Sequence, residues 1–176
     1  MYPFARMVKE LLVHSRAGSL PLDGVHVSRH ICWPWDLDIW MELNNGRTLT
    51  IYDLGRIPLA RRTGLIKVLA RRRWGLTMAG ASVRYRRRVR AFDVVETRSR
   101  MVGWDERFIY IEQSMWKRGD CTSHVLYRSA VTDRNGIVPT EKVLAALGHA
   151  APRMELPGWV CAWIEAEATR PWPPEM

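Results

Sequence analysis

A segment rich in apolar residues, long enough to be a central helix, predicts a buried helix from about Gly46 to Gly64. Its apolar positions fall nearly all round a helical wheel, which is typical of a helix enclosed by the rest of its domain. These positions are Leu49, Ile51, Tyr52, Leu54, Ile57, Leu59 and Ala60. Pro58 lies inside the segment and should kink or break the helix, because proline lacks a backbone N–H donor. The helical rhythm resumes from Leu65 to Trp74.

A first strand is predicted before this helix, from Gly24 to Pro34, because residue types alternate there with a period of two. One face carries Val25, Val27, Arg29 and Ile31, and the other carries His26, Ser28, His30 and Cys32. Two histidines on one face suggest a metal site only weakly when no third ligand is nearby. We therefore predict no metal site and expect His26 and His30 to lie on an exposed face.

After Gly75 the pattern changes to a period of two and predicts four more strands. They cover Gly75–Val89, Val94–Gly103, Arg107–Lys117 and Cys121–Asp133, joined by hairpin-like turns such as Arg118-Gly119-Asp120. A helix that is apolar on every side must be wrapped, and a curled antiparallel sheet can do this. The sequence therefore predicts a single α+β domain, with about five strands around a long central helix.

Additional helices are predicted at both ends of the chain. Residues Tyr2–His14 carry an apolar stripe formed by Phe4, Met7, Val8, Leu11 and Leu12. This stripe indicates either a membrane-surface or partner helix, or a helix packed on its own domain, and we prefer the second interpretation. Thr140–Leu147 and Pro157–Thr169 are the other helical segments. We divide the chain into an N-terminal helix and linker (1–23), a main domain (24–148) and a C-terminal extension (149–176).

Composition supports a globular protein with one core. The chain has 176 residues, of which 47% are hydrophobic and 26% charged. Its apolar runs are shorter than the roughly 20 residues of a membrane-spanning helix, and charged residues interrupt Met1–Arg16 where a signal peptide would be apolar. The three cysteines, Cys32, Cys121 and Cys161, are too scattered for a disulfide framework or a zinc site. We expect a reducing, cytoplasmic location.

The net charge of +9 comes almost entirely from arginine. Only four of the 27 basic residues are lysines. Arginine suits bidentate binding of phosphate, as found in nucleic acids, anionic lipid head groups and phosphorylated cofactors. Arginine on a solvated face is an equally good explanation for any single position. Nucleic-acid binding through Arg84–Arg90 ranks low, because no recognised nucleic-acid motif accompanies the charge.

Candidate chemistry is concentrated just before the central helix, in Trp33–Arg47. This segment contains Asp36 and Asp38, two residues apart, followed by an Asn-Asn-Gly sequence at the predicted helix start. The free N–H groups of a first helical turn polarise whatever lies beside them, so a carboxylate placed there can take part in catalysis. The alternative is that either aspartate only caps a turn and that Asn44 only caps the helix.

The string Asp36-Leu37-Asp38-Ile39-Trp40-Met41-Glu42-Leu43-Asn44-Asn45-Gly46-Arg47 resembles the Asp-x-Asp-x-x-Gly-His-x-Asn-Asn-x-x-Tyr signature of hot-dog-fold acyl-CoA thioesterases. The similar proteins are those of the 4-hydroxybenzoyl-CoA thioesterase type. Leu54-Gly55-Arg56, Arg62-Thr63-Gly64, Arg71-Arg72-Arg73-Trp74 and Gly103-Trp104-Asp105-Glu106 also resemble the bacterial thioesterase-like branch. The resemblance covers about residues 24–148, and the predicted order of strands and helix agrees with it.

This resemblance implies a hot-dog homodimer, or a dimer of dimers, with second strands paired and acyl-CoA or acyl-carrier-protein sites between protomers. Asp38 would be general base or nucleophile, and the N–H groups around Asn45–Arg47 would form an oxyanion hole. Coenzyme A belongs to the substrate, and no separate cofactor is implied. The catalytic candidates are Asp38, Glu42 and Asn45. The substrate-binding candidates are Trp40, Asn44, Gly46, Arg47, Arg71, Arg72, Arg73, Arg86 and Arg88.

The segment departs from the family signature at three positions. Met41-Glu42 replaces Gly-His, and Thr48 replaces the tyrosine. An ionised glutamate cannot donate the hydrogen bond that a histidine can, although Glu42 could itself act as a base, or be protonated if it is desolvated beside Asp38. The alternative function is therefore a non-catalytic hot-dog protein that binds acyl-CoA or lipid, with a peripheral membrane contact through its first helix.

Overall fold

The computed structural model describes residues 2–148 and 155–174, which contain five helices and six strands. In chain order these are α1 (Phe4–Val13), β1 (His26–Ile31), α2 (Asn45–Arg62), α3 (Leu65–Arg72), β2 (Gly75–Tyr85), β3 (Val94–Trp104), β4 (Ile109–Lys117), β5 (Asp120–Asp133), β6 (Gly136–Ile137), α4 (Thr140–Ala146) and α5 (Gly158–Ala168). A short 3₁₀ turn, Pro34–Asp36, lies between β1 and α2.

The strands form one antiparallel sheet in the order β1-β3-β4-β5-β2, with β6 paired to β5. Arg118 and Gly119 join β4 to β5 with φ angles of 52° and 91°, the left-handed pair that a type I′ hairpin turn requires. The sheet curls about α2, as the sequence predicted. The expected α+β hot-dog architecture is thus confirmed, with β6 as a short addition.

Helix α2 is buried along most of its length because the concave face of the sheet encloses it. Ile51, Tyr52 and Leu54 have no exposed surface, and Leu59 is 3% exposed. The helix shares a core with apolar side chains of β2, β3, β4 and β5. At Gly55, α2 lies so close to the sheet that a Cβ there would be 2.7 Å from the Ser99 hydroxyl of β3.

The expected break at Pro58 does not occur. Helix α2 continues through Pro58 to Arg62, and Pro58, Leu59 and Ala60 are all buried. A proline inside a helix costs roughly 3 kcal/mol because it loses one hydrogen bond and crowds the preceding turn. Burial of the surrounding apolar side chains against the sheet offsets this local cost, since tertiary packing supplies most of the stability of helices in proteins.

The prediction that His26 and His30 lie on an exposed face of β1 is wrong. His26, Ser28, His30 and Cys32 are all buried, whereas Val27 and Ile31 on the other face are 41% and 39% exposed. Hydrogen bonds make this burial possible: the Ser28 hydroxyl lies 2.9 Å from His30 Nε2 and 2.9 Å from the Thr97 hydroxyl. The inner face of β1 is therefore a polar layer within the core.

Helix α1 covers this polar layer. Met7 and Glu10 are its buried residues. Glu10 accepts a hydrogen bond from Lys9 at 3.0 Å, and lies 3.5 Å from His14 Nε2 and 3.7 Å from His30 Nδ1. Helix α1 packs on its own domain, as our preferred interpretation predicts. Its buried residues are the carboxylate Glu10 and Met7, which is only one member of the apolar stripe. Most of its apolar stripe faces away from the core.

Helix α5 packs on the opposite, convex face of the sheet. Val160 is fully buried there among Val102, Tyr110 and Leu126, with Trp163 beside them. The sheet is therefore covered by helices on both faces over its central strands. The C-terminal extension predicted at 149–176 begins in residues 149–154, which lie outside the described residues, as do 175–176.

The buried histidines should make the protein less stable in mild acid. Burial, with His14 and Arg62 nearby, lowers the pKa of His26 to about 4, and burial lowers the pKa of His30 to about 3. In the unfolded chain these groups titrate near 6.5, so unfolding takes up protons at lower pH. The free energy of unfolding should fall as pH drops from about 6.5 towards about 4.

His26 tests this pH dependence better than His30 does, because no carboxylate of the described residues contacts His26, whereas Glu10 lies 3.7 Å from His30. Arg62 donates to Nδ1 of His26 at 3.2 Å. We expect His26→Gln to flatten the change in urea midpoint between about pH 7 and about pH 5, whereas Arg29→Gln, on the exposed face of the same strand, should leave it unchanged. An unaltered pH dependence in His26→Gln would contradict this assignment.

Candidate functional site

The segment before α2 folds back on itself and places two aspartates in different environments. Leu37 and Leu43 form an isolated antiparallel bridge. Between them the Asp38 amide donates to the Glu42 carbonyl at 2.9 Å, and the Met41 amide donates to the Asp38 carbonyl at 3.0 Å. The result is a tight turn that carries Asp38 at one side and ends at the start of α2.

Asp36 is fully buried and holds this turn in place. Its carboxylate accepts hydrogen bonds from Arg6 at 2.7 Å, from the Trp33 amide at 3.1 Å and from Arg47 at 2.6 and 3.0 Å. Burial alone would raise the pKa of Asp36, but Arg47, the Trp33 amide and Arg6 together hold it below its usual value. Asp36 is thus a structural carboxylate that joins α1, the turn and α2.

Asp38 is half-buried, and its side chain is only partly engaged. Its Oδ1 accepts a hydrogen bond from the Trp40 amide at 2.8 Å. This contact is the turn cap that the sequence offered as the alternative to a catalytic role. Met41, at the position of the family glycine, has a φ of 57°. The turn therefore keeps the left-handed conformation for which glycine is the usual residue, at a steric cost on the order of 1 kcal/mol.

The N-terminus of α2 is capped by Asn44. Its Oδ1 accepts the amides of Gly46 at 2.9 Å and Arg47 at 3.1 Å, and its carbonyl accepts the Thr48 amide at 2.8 Å. Two of the three amides predicted for an oxyanion hole are therefore already bonded. Within residues 2–148 and 155–174, no acceptor contacts the N–H of Asn45, so it is the first-turn donor left for a ligand.

A cavity of about 390 Å³ opens beside this helix start. Asp38, Glu42 and Asn45 all line it, so the structure brings the three predicted catalytic residues to one cavity. The remaining lining residues are Trp40, Leu43, Thr48, Tyr85, Arg86, Arg87, Arg88, Val89, Thr122 and Ser123. The cavity thus combines a carboxylate, a helix N-terminus and a group of arginines.

The arginines belong to the loop that follows β2, which we call the arginine loop (Arg86–Arg88). Its backbone is fixed, because the Arg86 and Arg87 amides both donate to the Thr122 carbonyl, at 2.8 and 3.1 Å, and Lys117 donates to the Arg88 carbonyl at 2.8 Å. The Arg88 guanidinium lies 3.0 Å from the Glu42 carboxylate and is 75% exposed. Glu42, in the position of the family histidine, therefore positions an arginine at the mouth of the cavity.

Several predicted substrate-binding residues do not line this cavity. Asn44 and Gly46 form the helix cap, and Nε and Nη2 of Arg47 donate to Asp36. Arg71, Arg72 and Arg73 lie exposed at the end of α3, where the Arg72 guanidinium is 6.0 Å from the centre of the Trp74 ring. Spacing in the sequence could not separate these arginines from those of the arginine loop.

The sequence did not identify several other residues that line the cavity. Tyr85 donates to the Asn45 carbonyl at 3.3 Å, and Ser123 accepts a hydrogen bond from the buried Tyr52 hydroxyl at 2.9 Å through its backbone carbonyl. Thr122 and Ser123 reach the cavity because β2 pairs with β5 in a register that sets Tyr85 opposite Ser123. No local sequence signal marks them, since only strand pairing brings them there.

The described residues contain no helix that is both long and apolar enough to cross a membrane. Across residues 2–148 and 155–174, no group of three or more His, Cys, Asp or Glu side chains is arranged to hold a metal ion.

Comparison with known sequences identifies one family. The family model of the thioesterase-like superfamily matches residues 32–164. Protein THEM6 of Xenopus laevis is 30% identical to this chain over 141 residues, which are 80% of this chain and 67% of that protein. Protein THEM6 of Drosophila melanogaster is 29% identical over 139 residues, or 77% of this chain and 70% of that protein.

Solved structures share the fold. YbaW, a probable thioesterase from Escherichia coli, has a TM-score of 0.65 and 14% identity, covering 69% of this chain and 96% of that one. A thioesterase from Thermus thermophilus, complexed with coenzyme A and Zn, has a TM-score of 0.59 and 21% identity, covering 72% of this chain and 96% of that one.

The two aspartates should respond differently to the same substitution. Asp36→Asn should lower the free energy of unfolding by about 3 kcal/mol or more, because it removes the buried negative charge that Arg6 and Arg47 both face. Asp38→Asn should cost less than about 1 kcal/mol, since an asparagine oxygen can still accept the Trp40 amide. Urea unfolding of the two variants measures both values, and equal losses would contradict the structural role of Asp36.

Proposed function

Because this chain belongs to the thioesterase-like superfamily, we propose that it hydrolyses a thioester of coenzyme A or of an acyl carrier protein. The main support is that Asp38 and Asn45 line the same cavity. A carboxylate and an unbonded amide of a helix N-terminus are the two groups that addition to a thioester carbonyl needs. The arginine loop at the same cavity adds a site for phosphate.

In the proposed reaction Asp38 either activates water or attacks the carbonyl itself. As a general base, it takes a proton from water while the water oxygen bonds to the carbonyl carbon. The C–S bond then breaks, the thiolate leaves, and the proton held by Asp38 or a solvent proton neutralises it. As a nucleophile, Asp38 displaces the thiolate to form an anhydride, which water then hydrolyses. Both routes yield a free acid and a free thiol.

The oxyanion would be stabilised by one amide rather than three. The Gly46 and Arg47 amides are bonded to the Asn44 cap, so the Asn45 N–H is the donor assigned to the oxyanion. The N-terminal end of the α2 dipole lies at the same place and favours negative charge. One such donor contributes roughly 3 kcal/mol to lowering the barrier in enzymes where it has been removed.

The arginine loop is proposed to bind the phosphates of coenzyme A. Exposed guanidinium groups at a cavity mouth form charge-assisted hydrogen bonds with phosphate oxygens. Glu42 supports this role by holding Arg88 at 3.0 Å. The Thermus thermophilus thioesterase, which is similar in fold, is described as complexed with coenzyme A.

We also propose that the chain works as a homodimer whose protomers pair through β2, with a dimer of dimers as the larger alternative. Strand β2 lies at the edge of the sheet, and its residues are exposed or partly exposed along the whole strand. A long edge strand with free backbone groups is a template for pairing with another chain. Trp40, which is 75% exposed at the cavity, would gain cover from such a partner.

The second candidate is a protein that binds acyl-CoA without hydrolysing it. One observation favours it: Glu42, in place of the family histidine, is tied to Arg88 and has no proton to donate as a carboxylate. Binding of acyl-CoA with no release of thiol, unchanged in Asp38→Asn, would select this function.

Hydrolysis should depend on the charge of Asp38. We expect the wild-type protein to release free thiol from at least one member of a panel of short-, medium- and long-chain acyl-CoAs. Asp38→Asn keeps the acceptor for the Trp40 amide but removes the base, and should lower kcat by about 10²–10⁴-fold. Wild-type protein that is inert across the panel, or an unaffected variant, would contradict the hydrolase assignment.

Substrate affinity should depend on the arginine loop. Arg88→Gln should raise KM for acyl-CoA by about tenfold with little change in kcat, because a lost charge-assisted hydrogen bond costs roughly 1.5 kcal/mol. Arg71→Gln, at the exposed end of α3, is the matched control and should leave KM unchanged. Steady-state kinetics distinguishes the two, and equal effects at both positions would overturn the assignment.

A further inference from the structure

Helix α1 is attached to the domain through its polar side. Arg6 donates to Asp36 at 2.7 Å and to the Ile31 carbonyl at 2.9 Å, and Glu10 is 2% exposed. From α2, Arg61 donates to the Leu11 carbonyl at 2.8 Å. These contacts hold the helix on the domain without using most of its apolar residues.

The outer face of α1, defined by Phe4, Val8 and Leu12, is apolar and open to solvent. These side chains are 70%, 55% and 66% exposed and recur every four residues, so they form one stripe along the helix. Val13, next to them, is 62% exposed. Amphipathic helices in globular proteins normally turn this stripe inward, so its exposure indicates a partner that covers it.

Exposed basic residues lie on α1, just beyond its C-terminal end, and on α2 where Arg61 contacts Leu11. The Lys9 side chain is 61% exposed, and Arg16 and Arg61 are also exposed. The carboxylate of the helix, Glu10, is turned inward, and Lys9 donates to it at 3.0 Å while most of the Lys9 side chain stays exposed to solvent. An apolar stripe beside positive charge, on a chain of net charge +9, matches a surface that offers both acyl chains and negative head groups.

A second copy of the chain fits this face less well. A helix of ten residues is about 15 Å long, and a stable protein interface needs about 800 Å² from each partner. Three or four side chains on one short helix supply only part of that area. Insertion into a bilayer interface needs a depth of only about 5–10 Å, which these side chains can provide without further contacts.

We propose that the outer face of α1 docks on an anionic lipid bilayer, with Phe4, Val8 and Leu12 inserted between head groups and Lys9 and Arg16 at the phosphate level. The anchoring contacts lie on the opposite side of the helix, so docking leaves α1 attached to the domain. The surface is separate from the cavity at Asp38, and lipid binding does not depend on thioester hydrolysis.

The test is cosedimentation of the full chain with phosphatidylcholine vesicles, with and without about a third phosphatidylserine. We expect binding to the phosphatidylserine vesicles, weak binding to phosphatidylcholine alone, and a decrease as salt is raised. Phe4→Ser/Val8→Ser/Leu12→Ser should lower binding by about tenfold or more, because three inserted side chains are lost. Its thermal unfolding should match wild type, since these residues are exposed in the folded protein.

Trp172→Ser is the matched control, because it removes an apolar side chain that is 90% exposed at the other end of the chain. It should bind vesicles as wild type does.

Equal binding by the triple variant and wild type, or binding that does not depend on phosphatidylserine, would overturn the proposal. A concentration-dependent oligomer that the triple variant loses, without vesicle binding by wild type, would instead assign this face to a second copy. Asp38→Asn should bind vesicles as wild type does, so the vesicle assay tests the lipid proposal independently of the hydrolase proposal.

Discussion

The ion cluster of Arg6, Asp36 and Arg47 is the contact on which the rest of the site depends. A fully buried carboxylate is tolerated only when charges and hydrogen-bond donors surround it, and here they come from α1, from the turn before α2 and from α2 itself. The cluster fixes where the turn leaves the core. That position decides where Asp38 lies relative to the first turn of α2.

The fold was largely predictable because it follows from one pattern. A helix that is apolar on every side has to be enclosed, and the period-two segments after Gly75 supply the sheet that encloses α2. The alternation of polar and apolar residues did not predict which face of β1 is buried, because hydrogen bonds replace apolar contacts on its inner face. The inner face of β1 carries His26, Ser28 and His30, and α1 covers them with Glu10, so the apolar faces of both elements are turned outward.

The site was predictable only in part. The resemblance to the hot-dog thioesterase signature suggested Asp38, Asn45 and Glu42, which lie close together in sequence around a helix start and line one cavity. The same resemblance suggested Arg47 and Arg71–Arg73, but a partner distant in sequence decides where an arginine side chain lies. Arg47 binds Asp36, whereas Arg86 and Arg88 reach the cavity because β2 pairs with β5. Thr122 and Ser123 depend on the same register, which no single segment encodes.

We propose that a thioester carbonyl binds between Asp38 and the Asn45 amide. A crystal structure of the Asp38→Asn variant with a bound acyl-CoA tests it most directly. We expect the carbonyl oxygen within about 3 Å of the Asn45 nitrogen, the residue-38 side chain facing the carbonyl carbon, and phosphates against the arginine loop. A thioester bound elsewhere, with the Asn45 amide left in solvent, would contradict it.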